Sequence, residues 1–217
     1  MITASYGPVV QNVTVTVADG RFWYSLGNGL GNGLDNNWYL DGNNASVVSS
    51  DGNKTTVQMG SGYRGDLWLA RSGKGKIVNV TPADYRYFAI KVGFKSQLVP
   101  GKNKPNGCIK LEIFDDGIKK IGPEYFGTGG DANNRYEILG ASEISTTEPN
   151  VLYYDLQSKY KTVTPTDWNQ VFDLVQCKFV IADFPETAQT YDLYWIRSFK
   201  SIEELQAFVD SENNTNE

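Results

Sequence analysis

The sequence contains no histidine and has two cysteines among its 217 residues. Without histidine, the chain can form neither a Ser-His-Asp nor a Cys-His catalytic arrangement, and no imidazole can bind a metal. Two thiolates are too few for a four-cysteine zinc site or an iron–sulfur cluster. The chemistry that remains is that of carboxylates, of oxygen-bound metals, and of recognition by aromatic and polar side chains.

Positive charge and long apolar runs are also scarce. The chain has 20 Lys and Arg residues against 25 Asp and Glu residues, which gives a net charge of −5. This balance argues against broad binding to the phosphate backbone of nucleic acids. No run reaches the roughly 18 apolar residues of a membrane-spanning helix, and the N-terminus lacks the charged and apolar regions of a signal peptide. We therefore expect no nucleic-acid partner and no membrane span, and the sequence fits a mature form or an excised domain.

Aromatic residues are plentiful, at 13% of the chain, and the hydrophobic content is 40%. These values argue against disorder and support a large core. All-β sandwiches often reach this length undivided. We predict a single domain over residues 1–210, followed by a polar tail over 211–217.

A period-two alternation of apolar and polar residues recurs between turns rich in Gly, Asn and Asp. In residues 85–94, for example, every second residue from Phe88 to Phe94 is apolar, which is typical of a strand with one face in the core. Alternating helix and strand units are absent, which argues against a doubly wound α/β fold. The sequence predicts an all-β sandwich of the jelly-roll type. The predicted strands are residues 13–18, 46–50, 55–59, 66–71, 85–94, 108–114, 151–156, 171–182 and 191–199.

One short helix is predicted near the C-terminus. Ser201 and Glu204 have the spacing of a capping box, in which both side chains bond to free backbone N–H groups. Ile202, Leu205 and Phe208 then fall on one helical face. The prediction is a helix over about residues 202–210.

The two cysteines are predicted to remain reduced. Cys177 shares the apolar face of its strand, whereas Cys108 alternates with the apolar residues of its own strand. The two thiols therefore point to different faces, and a disulfide needs a bulge that resets the register.

Two loop patterns resemble ligand motifs without completing them. The glycine-rich residues 27–33 lack the Lys-Ser/Thr pair of a phosphate loop and the third glycine of a dinucleotide fingerprint, so we expect a flexible loop. The turns at 41–44 and 51–53 lack the spacing and the closing Glu of an EF-hand. Ordinary hairpin turns explain them, although a structural calcium ion stays possible. No other cofactor is expected.

Carboxylate catalysis is not favoured. Glu112, Asp115 and Asp116 lie close along the chain, but they do not match the Glu-x-Asp-x-x-Glu pattern of jelly-roll glycosidases of the laminarinase type. The two aspartates fit a turn better. We predict that the protein is not an enzyme.

The aromatic residues are the strongest remaining signal. Sugar rings have apolar C–H faces that stack on indole and phenol rings, and their hydroxyls bond to planar polar side chains. For each aromatic residue the alternative is a place in the core. The candidate ligand-binding residues are Trp38, Tyr63, Arg64, Trp68, Tyr85, Tyr87, Tyr125 and Trp168.

The C-terminal third also carries a family resemblance. The runs concerned are 172–183 (FDLVQCKFVIAD) and 191–205 (YDLYWIRSFKSIEEL), together with 84–92 (DYRYFAIKV) and 150–156 (NVLYYDL). They resemble the inner and closing strands of cell-envelope domains of Bacteroidetes with a galactose-binding-like jelly roll, related in shape to carbohydrate-binding modules. The resemblance implies a surface or secreted protein of glycan-degrading bacteria, cut from a longer lipoprotein or enzyme. It transfers no binding residues, because binding positions vary among such modules.

From these observations we expect a non-catalytic carbohydrate-binding module whose partner is a polysaccharide or oligosaccharide. Two alternatives of other classes stay open. One is a protein-binding, adhesion or spacer domain, and the other is a glycoside hydrolase.

Overall fold

The alternating segments form antiparallel β-sheets in a computed structural model of the chain. The structure describes residues 2–6, 9–13, 20–31, 37–41, 45–60, 64–70, 78–81, 83–96, 109–115, 137–141, 143–157, 172–182 and 189–215. The strands are β1 (Ile2–Tyr6), β2 (Val9–Val13), β3 (Trp23–Ser25), β4 (Tyr39–Asp41), β5 (Ser46–Ser50), β6 (Thr55–Gln58), β7 (Arg64–Ala70), β8 (Val78–Val80), β9 (Tyr87–Phe94), β10 (Ile109–Asp115), β11 (Glu137–Ile138), β12 (Asn150–Asp155), β13 (Phe172–Ala182) and β14 (Thr190–Phe199). They are followed by one helix, α1 (Ile202–Thr215).

Two large sheets and one hairpin account for these strands. The five-stranded sheet has the order β10-β13-β7-β4, with β8 also paired to β13. The seven-stranded sheet has the order β11-β12-β9-β14-β6-β5, with β3 also paired to β14. Strands β1 and β2 pair with each other. The described pairings are antiparallel, and the predicted all-β sandwich is confirmed at this level.

The core lies between the two large sheets. Phe179 of β13 is fully buried, and its ring centre lies 5.7 Å from that of Phe88 on β9 and 5.9 Å from that of Tyr154 on β12. The predicted apolar face of β9 therefore contacts the opposite sheet. Cys177 is a free, fully buried thiol in the same core, while Cys108 lies outside the described residues.

A second apolar cluster covers the outer face of the seven-stranded sheet. Trp195 and Phe199 of β14 point outward, and the ring of Phe208 on α1 lies 5.6 Å from each of them. Leu193 points into the core although it lies two residues before Trp195. A register shift between these two residues explains why they face opposite sides.

Helix α1 begins as predicted and ends later than predicted. Ser201 Oγ accepts a hydrogen bond from Glu204 N at 3.2 Å, and Glu204 Oε2 accepts one from Lys200 N at 2.7 Å. The helix continues to Thr215, about five residues past its predicted end at about residue 210. The apolar pattern ends at Val209, and a polar contact of Glu212, described below, continues the packing. Among the described residues, no helix has the length and apolar character needed to cross a membrane.

The glycine-rich loop packs against the turn between β5 and β6. Gly52 N donates a hydrogen bond to Gly27 O at 3.0 Å, and Gly29 N donates one to Thr55 Oγ1 at 3.1 Å. Asp51 Oδ1 accepts bonds from the backbone N–H groups of Asn53 and Lys54, at 2.9 and 2.8 Å. The described part of the loop is therefore fixed by hydrogen bonds, and the 51–53 turn is the hairpin turn that the sequence indicated.

We predict that Gly27→Ala destabilises the fold by about 3 kcal/mol, because the new Cβ has no room. It would lie 2.2 Å from Gly52 O, a backbone atom that cannot rotate away. Gly93→Ala is the matched control, since its Cβ would make only ordinary contacts at 3.5 Å or more. Urea unfolding of both variants measures the difference. Equal stability of the two variants would contradict the packing of this loop.

Candidate functional site

A groove of about 980 Å³ opens on the outer face of the seven-stranded sheet. One wall is the C-terminal half of α1, and the other is the segment between β11 and β12. Ligand sites are commonly concave, with a few polar groups placed around apolar and aromatic side chains. The lining includes Lys91, Glu148, Asn150, Tyr194, Val209 and Glu212.

Glu212 joins the helix wall of the groove to the sheet. Its Oε2 lies 3.1 Å from Lys91 Nζ and accepts a hydrogen bond from Trp195 Nε1 at 3.0 Å. Its Oε1 lies 3.6 Å from Arg197 Nη1. These side chains are largely shielded from water, so their charges interact more strongly than at an open surface. The carboxylate therefore holds the last turns of α1 in place and orients Lys91 beside the groove.

Tyr194 provides an aromatic ring in the groove. It lies at the register shift of β14 and is half-buried, with the Lys91 ammonium 5.6 Å from the ring centre. Burial raises the pKa of the Tyr194 phenol above its ordinary value, so the hydroxyl remains neutral and can both donate and accept hydrogen bonds. Gly93 on the neighbouring strand lies beside the ring, and a Cβ there would make an ordinary contact with Tyr194 Cε2 at 3.6 Å.

Asn150 fixes the opposite rim of the groove. It is 4% exposed, its Oδ1 accepts a bond from Ser145 N at 2.7 Å, and its Nδ2 donates one to Ser145 O at 2.9 Å. Ser145 Oγ in turn accepts bonds from the N–H groups of Thr147 and Glu148, at 3.2 and 3.0 Å. The loop that brings Glu148 to the groove is therefore built by its own side chains before any ligand binds.

Asp192 anchors the hairpin that brings Asn53 to the groove. Its carboxylate lies 2.7 Å from Lys54 Nζ and accepts a bond from Thr56 Oγ1 at 2.6 Å. Burial alone would raise the pKa of Asp192, but the hydrogen bonds from Lys54 and Thr56 lower it below its ordinary value. The same contact raises the pKa of Lys54. Both groups are therefore charged at neutral pH, and the pair holds the start of β6 against β14.

Two of the predicted tryptophans lie away from this groove. Trp38 is 0% exposed, and its ring centre lies 5.8 Å from that of Phe179 in the core. The two sheets enclose it, so Trp38 has the place in the core that was the alternative to ligand binding. Trp68 lies on the outer face of the five-stranded sheet, on the other side of the molecule's core, with Lys178 Nζ 4.4 Å from its ring centre. Asp66 lies 3.5 Å from the same ammonium group.

Of the other predicted site residues, the structure describes the side chains of Tyr85 and Tyr87. Tyr85 is 9% exposed and lies near Lys200, whose Nζ is 5.7 Å from the ring centre. Tyr87 is half-buried on the same outer sheet face as the groove, as its alternation predicted. The side chain of Arg64 lies outside the described residues, as do Tyr63, Tyr125 and Trp168.

The residues that line the groove were not among the predicted site residues. Tyr194 could have been found, because it follows Leu193, which the alternation assigns to the core. Glu212 could not, since it lies beyond the last apolar residue of the helix pattern and its partners are distant in sequence.

The described residues also limit metal binding. Within those ranges, no group of three or more Cys, Asp or Glu residues could hold a metal ion. Asp51 belongs to one of the two loops that suggested calcium, and its carboxylate accepts backbone hydrogen bonds instead.

We predict that Glu212→Ala destabilises the protein by about 1–3 kcal/mol, because hydrogen bonds to charged groups are lost and Lys91 and Arg197 lose their carboxylate. Asp210→Ala is the control on the same helix. Its exposed carboxylate bonds only to Gln206 in the described contacts, at 2.8 Å, and its loss should cost less than about 0.5 kcal/mol. Thermal and urea unfolding compare the two variants. Indistinguishable midpoints would show that Glu212 does not hold the helix.

One known protein family matches a stretch of the chain that includes most of the two sheets and part of the groove. Residues 29–205 match the model of a family described as "Domain of unknown function (DUF4979)". The match includes Lys91, Tyr194 and the rim loop, and it ends before Glu212. No curated protein matches the chain. Since the family model covers well over half of the sequence, the chain belongs to the DUF4979 family.

Proposed function

We propose that the protein is a non-catalytic carbohydrate-binding module whose ligand lies in the groove beside α1. The observation that carries the proposal is the placement of one half-buried aromatic ring, Tyr194, in an open groove with a preformed polar rim. Fixed polar groups around an apolar surface suit a ligand that has apolar C–H faces and many hydroxyls. A sugar has both.

Each part of the groove has a role in this proposal. The face of the Tyr194 ring stacks against the C–H face of one sugar unit. Lys91 donates to sugar hydroxyls, and the carboxylate of Glu148 accepts from them. Because each exchanged hydrogen bond contributes only about 1 kcal/mol, the binding is expected to be weak for one module. Neighbouring modules or repeated ligand units would raise the avidity.

The proposal includes the absence of catalysis. Glycosidases of the common kind need two carboxyl groups on either side of the scissile bond. The two described carboxylates that line the groove are those of Glu148 and Glu212. Glu212 is engaged by Lys91, Trp195 and Arg197, which suits a structural role better than proton transfer. No cofactor is included.

The proposal also includes a jelly-roll topology for the sandwich and a location for the protein in the cell. The resemblance of residues 172–183 and 191–205 to Bacteroidetes cell-envelope domains supports a galactose-binding-like jelly roll. It supports equally a place at the cell surface or among secreted proteins of a glycan-degrading bacterium. A glycan from the surroundings would then be the natural ligand of the groove.

Protein binding is the second candidate function. The observation that favours it is the edge strand β5, which is exposed along its length and bears no charge. Val47 and Val48 on this strand are 44% and 59% exposed. Uncharged edge strands can add a strand from a partner.

Affinity electrophoresis against plant, algal, fungal and host glycans tests the proposal, with reducing-sugar release assayed in parallel. We expect one polymer to retard the protein without sugar release. Tyr194→Ala should raise the dissociation constant for that polymer at least tenfold, which corresponds to a loss of about 1.4 kcal/mol of binding free energy. Tyr194→Phe, which keeps the ring, should retain most of it.

The other results each contradict part of this function. Sugar release would make the protein a glycoside hydrolase. Retardation that is unchanged in a folded Tyr194→Ala variant would move the site away from the groove. A protein that no polymer retards would favour the protein-binding function.

A further inference from the structure

A second aromatic surface lies on the same outer sheet face as the groove. The rings of Tyr87 on β9 and Tyr153 on β12 have centres 6.2 Å apart and an angle of 65° between their planes. Both side chains are half-buried and pack on the outer apolar cluster. We infer that this tyrosine pair and the groove form one continuous binding surface, so that the ligand is an extended chain of several sugar units. This inference rests on the proposed function.

The spacing along the strands supports a ligand longer than one sugar. Tyr87 and Lys91 are four residues apart on the outer side of β9, which corresponds to about 13 Å at the rise of a β-strand. On β12, Val151 lines the groove and Tyr153 follows two residues later on the same side. Val151 pairs with Lys91, and Tyr153 pairs with Ala89. The part of the groove lined by Lys91 and Val151 and the tyrosine pair therefore lie along one direction of β9 and β12.

Two apolar side chains belong both to the groove and to the outer cluster that carries the tyrosine pair. Leu139 lines the groove and also packs on the outer cluster with Tyr87 and Tyr153. Val151 does the same from the floor of the groove. An extended chain that leaves the groove past Leu139 would thus contact an apolar side chain before it reaches the tyrosine pair.

Polar contacts hold the tyrosine pair in position. Arg86 forms a two-point ion pair with Asp155, with N–O distances of 2.7 and 2.6 Å. The guanidinium carbon of Arg86 lies 5.4 Å from the centre of the Tyr87 ring. Tyr153 OH donates a hydrogen bond to Glu137, and burial together with this bond raises the pKa of Tyr153. Rings that are already fixed lose little conformational freedom when a ligand stacks on them.

The most exposed tryptophan in the described residues does not offer such a surface. Trp23 is 43% exposed, but the guanidinium carbons of Arg21 and Arg197 lie 4.0 and 4.3 Å from its ring centre. Its faces are occupied by arginine side chains. The tyrosine pair is therefore the better second site for a sugar.

Isothermal titration calorimetry with oligosaccharides of increasing length tests the inference. The oligosaccharides are prepared by hydrolysis of the polymer that retards the intact protein. We expect the affinity to rise at least tenfold between the shortest oligosaccharide that binds and one long enough to span both sites. Tyr153→Ala should remove that rise and leave the affinity for the shortest oligosaccharide unchanged, while Tyr153→Phe should preserve it.

The outcomes separate this inference from the proposed function. If short and long oligosaccharides bind the intact protein equally well, the site holds a single sugar unit and the inference is wrong, although carbohydrate binding stands. The same conclusion follows if a folded Tyr153→Ala variant keeps the full dependence on length. If no polymer retards the protein at all, the proposed function fails and the inference fails with it.

Discussion

Strand β14 has large apolar side chains on both faces, and this constraint determines the layers of the structure. Leu193 and Ile196 point into the core, while Trp195 and Phe199 point outward. A strand that is apolar on both faces needs a layer on each side. The five-stranded sheet supplies one layer and α1 supplies the other. The register shift after Leu193 makes this two-sided burial possible.

The outer layer is narrower than the sheet that it covers. A helix is about 10 Å wide and neighbouring strands lie about 4.8 Å apart, so one helix covers about two strands. Helix α1 packs on β14 and contacts β9 through Glu212 and Lys91. The outer side of β12 and the rest of β9 are left beside the helix, and the groove and the tyrosine pair lie there. Glu212 fixes the edge of the helix beside the groove, because it joins the last turns of the helix to Lys91.

The sequence predicted the long strands and missed those of two or three residues. Strands β9, β13 and β14 have eight to eleven residues, which is enough to display their alternation. Strands β3 and β11 have three and two residues, and no period can be recognised over such lengths. Their formation depends on pairing with β14 and β12, which are distant in sequence.

In the candidate site, too, features set by local alternation could be predicted, and features set by distant residues could not. The outward orientation of Tyr87 followed from alternation within its own strand. The burial of Trp38 did not, because its ring neighbours lie on other strands, Phe179 on β13 and Tyr24 on β3 of the other sheet. The partnership of Glu212 with Lys91 joins residues 121 positions apart, and local patterns carry no information about such a pair.

The most direct test is to record ¹H–¹⁵N spectra of the protein during titration with an oligosaccharide prepared from the polymer that retards it. We expect the amide signals of Lys91, Tyr194 and residues 145–150 to shift together and to saturate at the same oligosaccharide concentration. Shifts confined to the outer face of the five-stranded sheet, around Trp68 and Lys178, would contradict it. They would place the ligand on the opposite side of the sandwich from the groove.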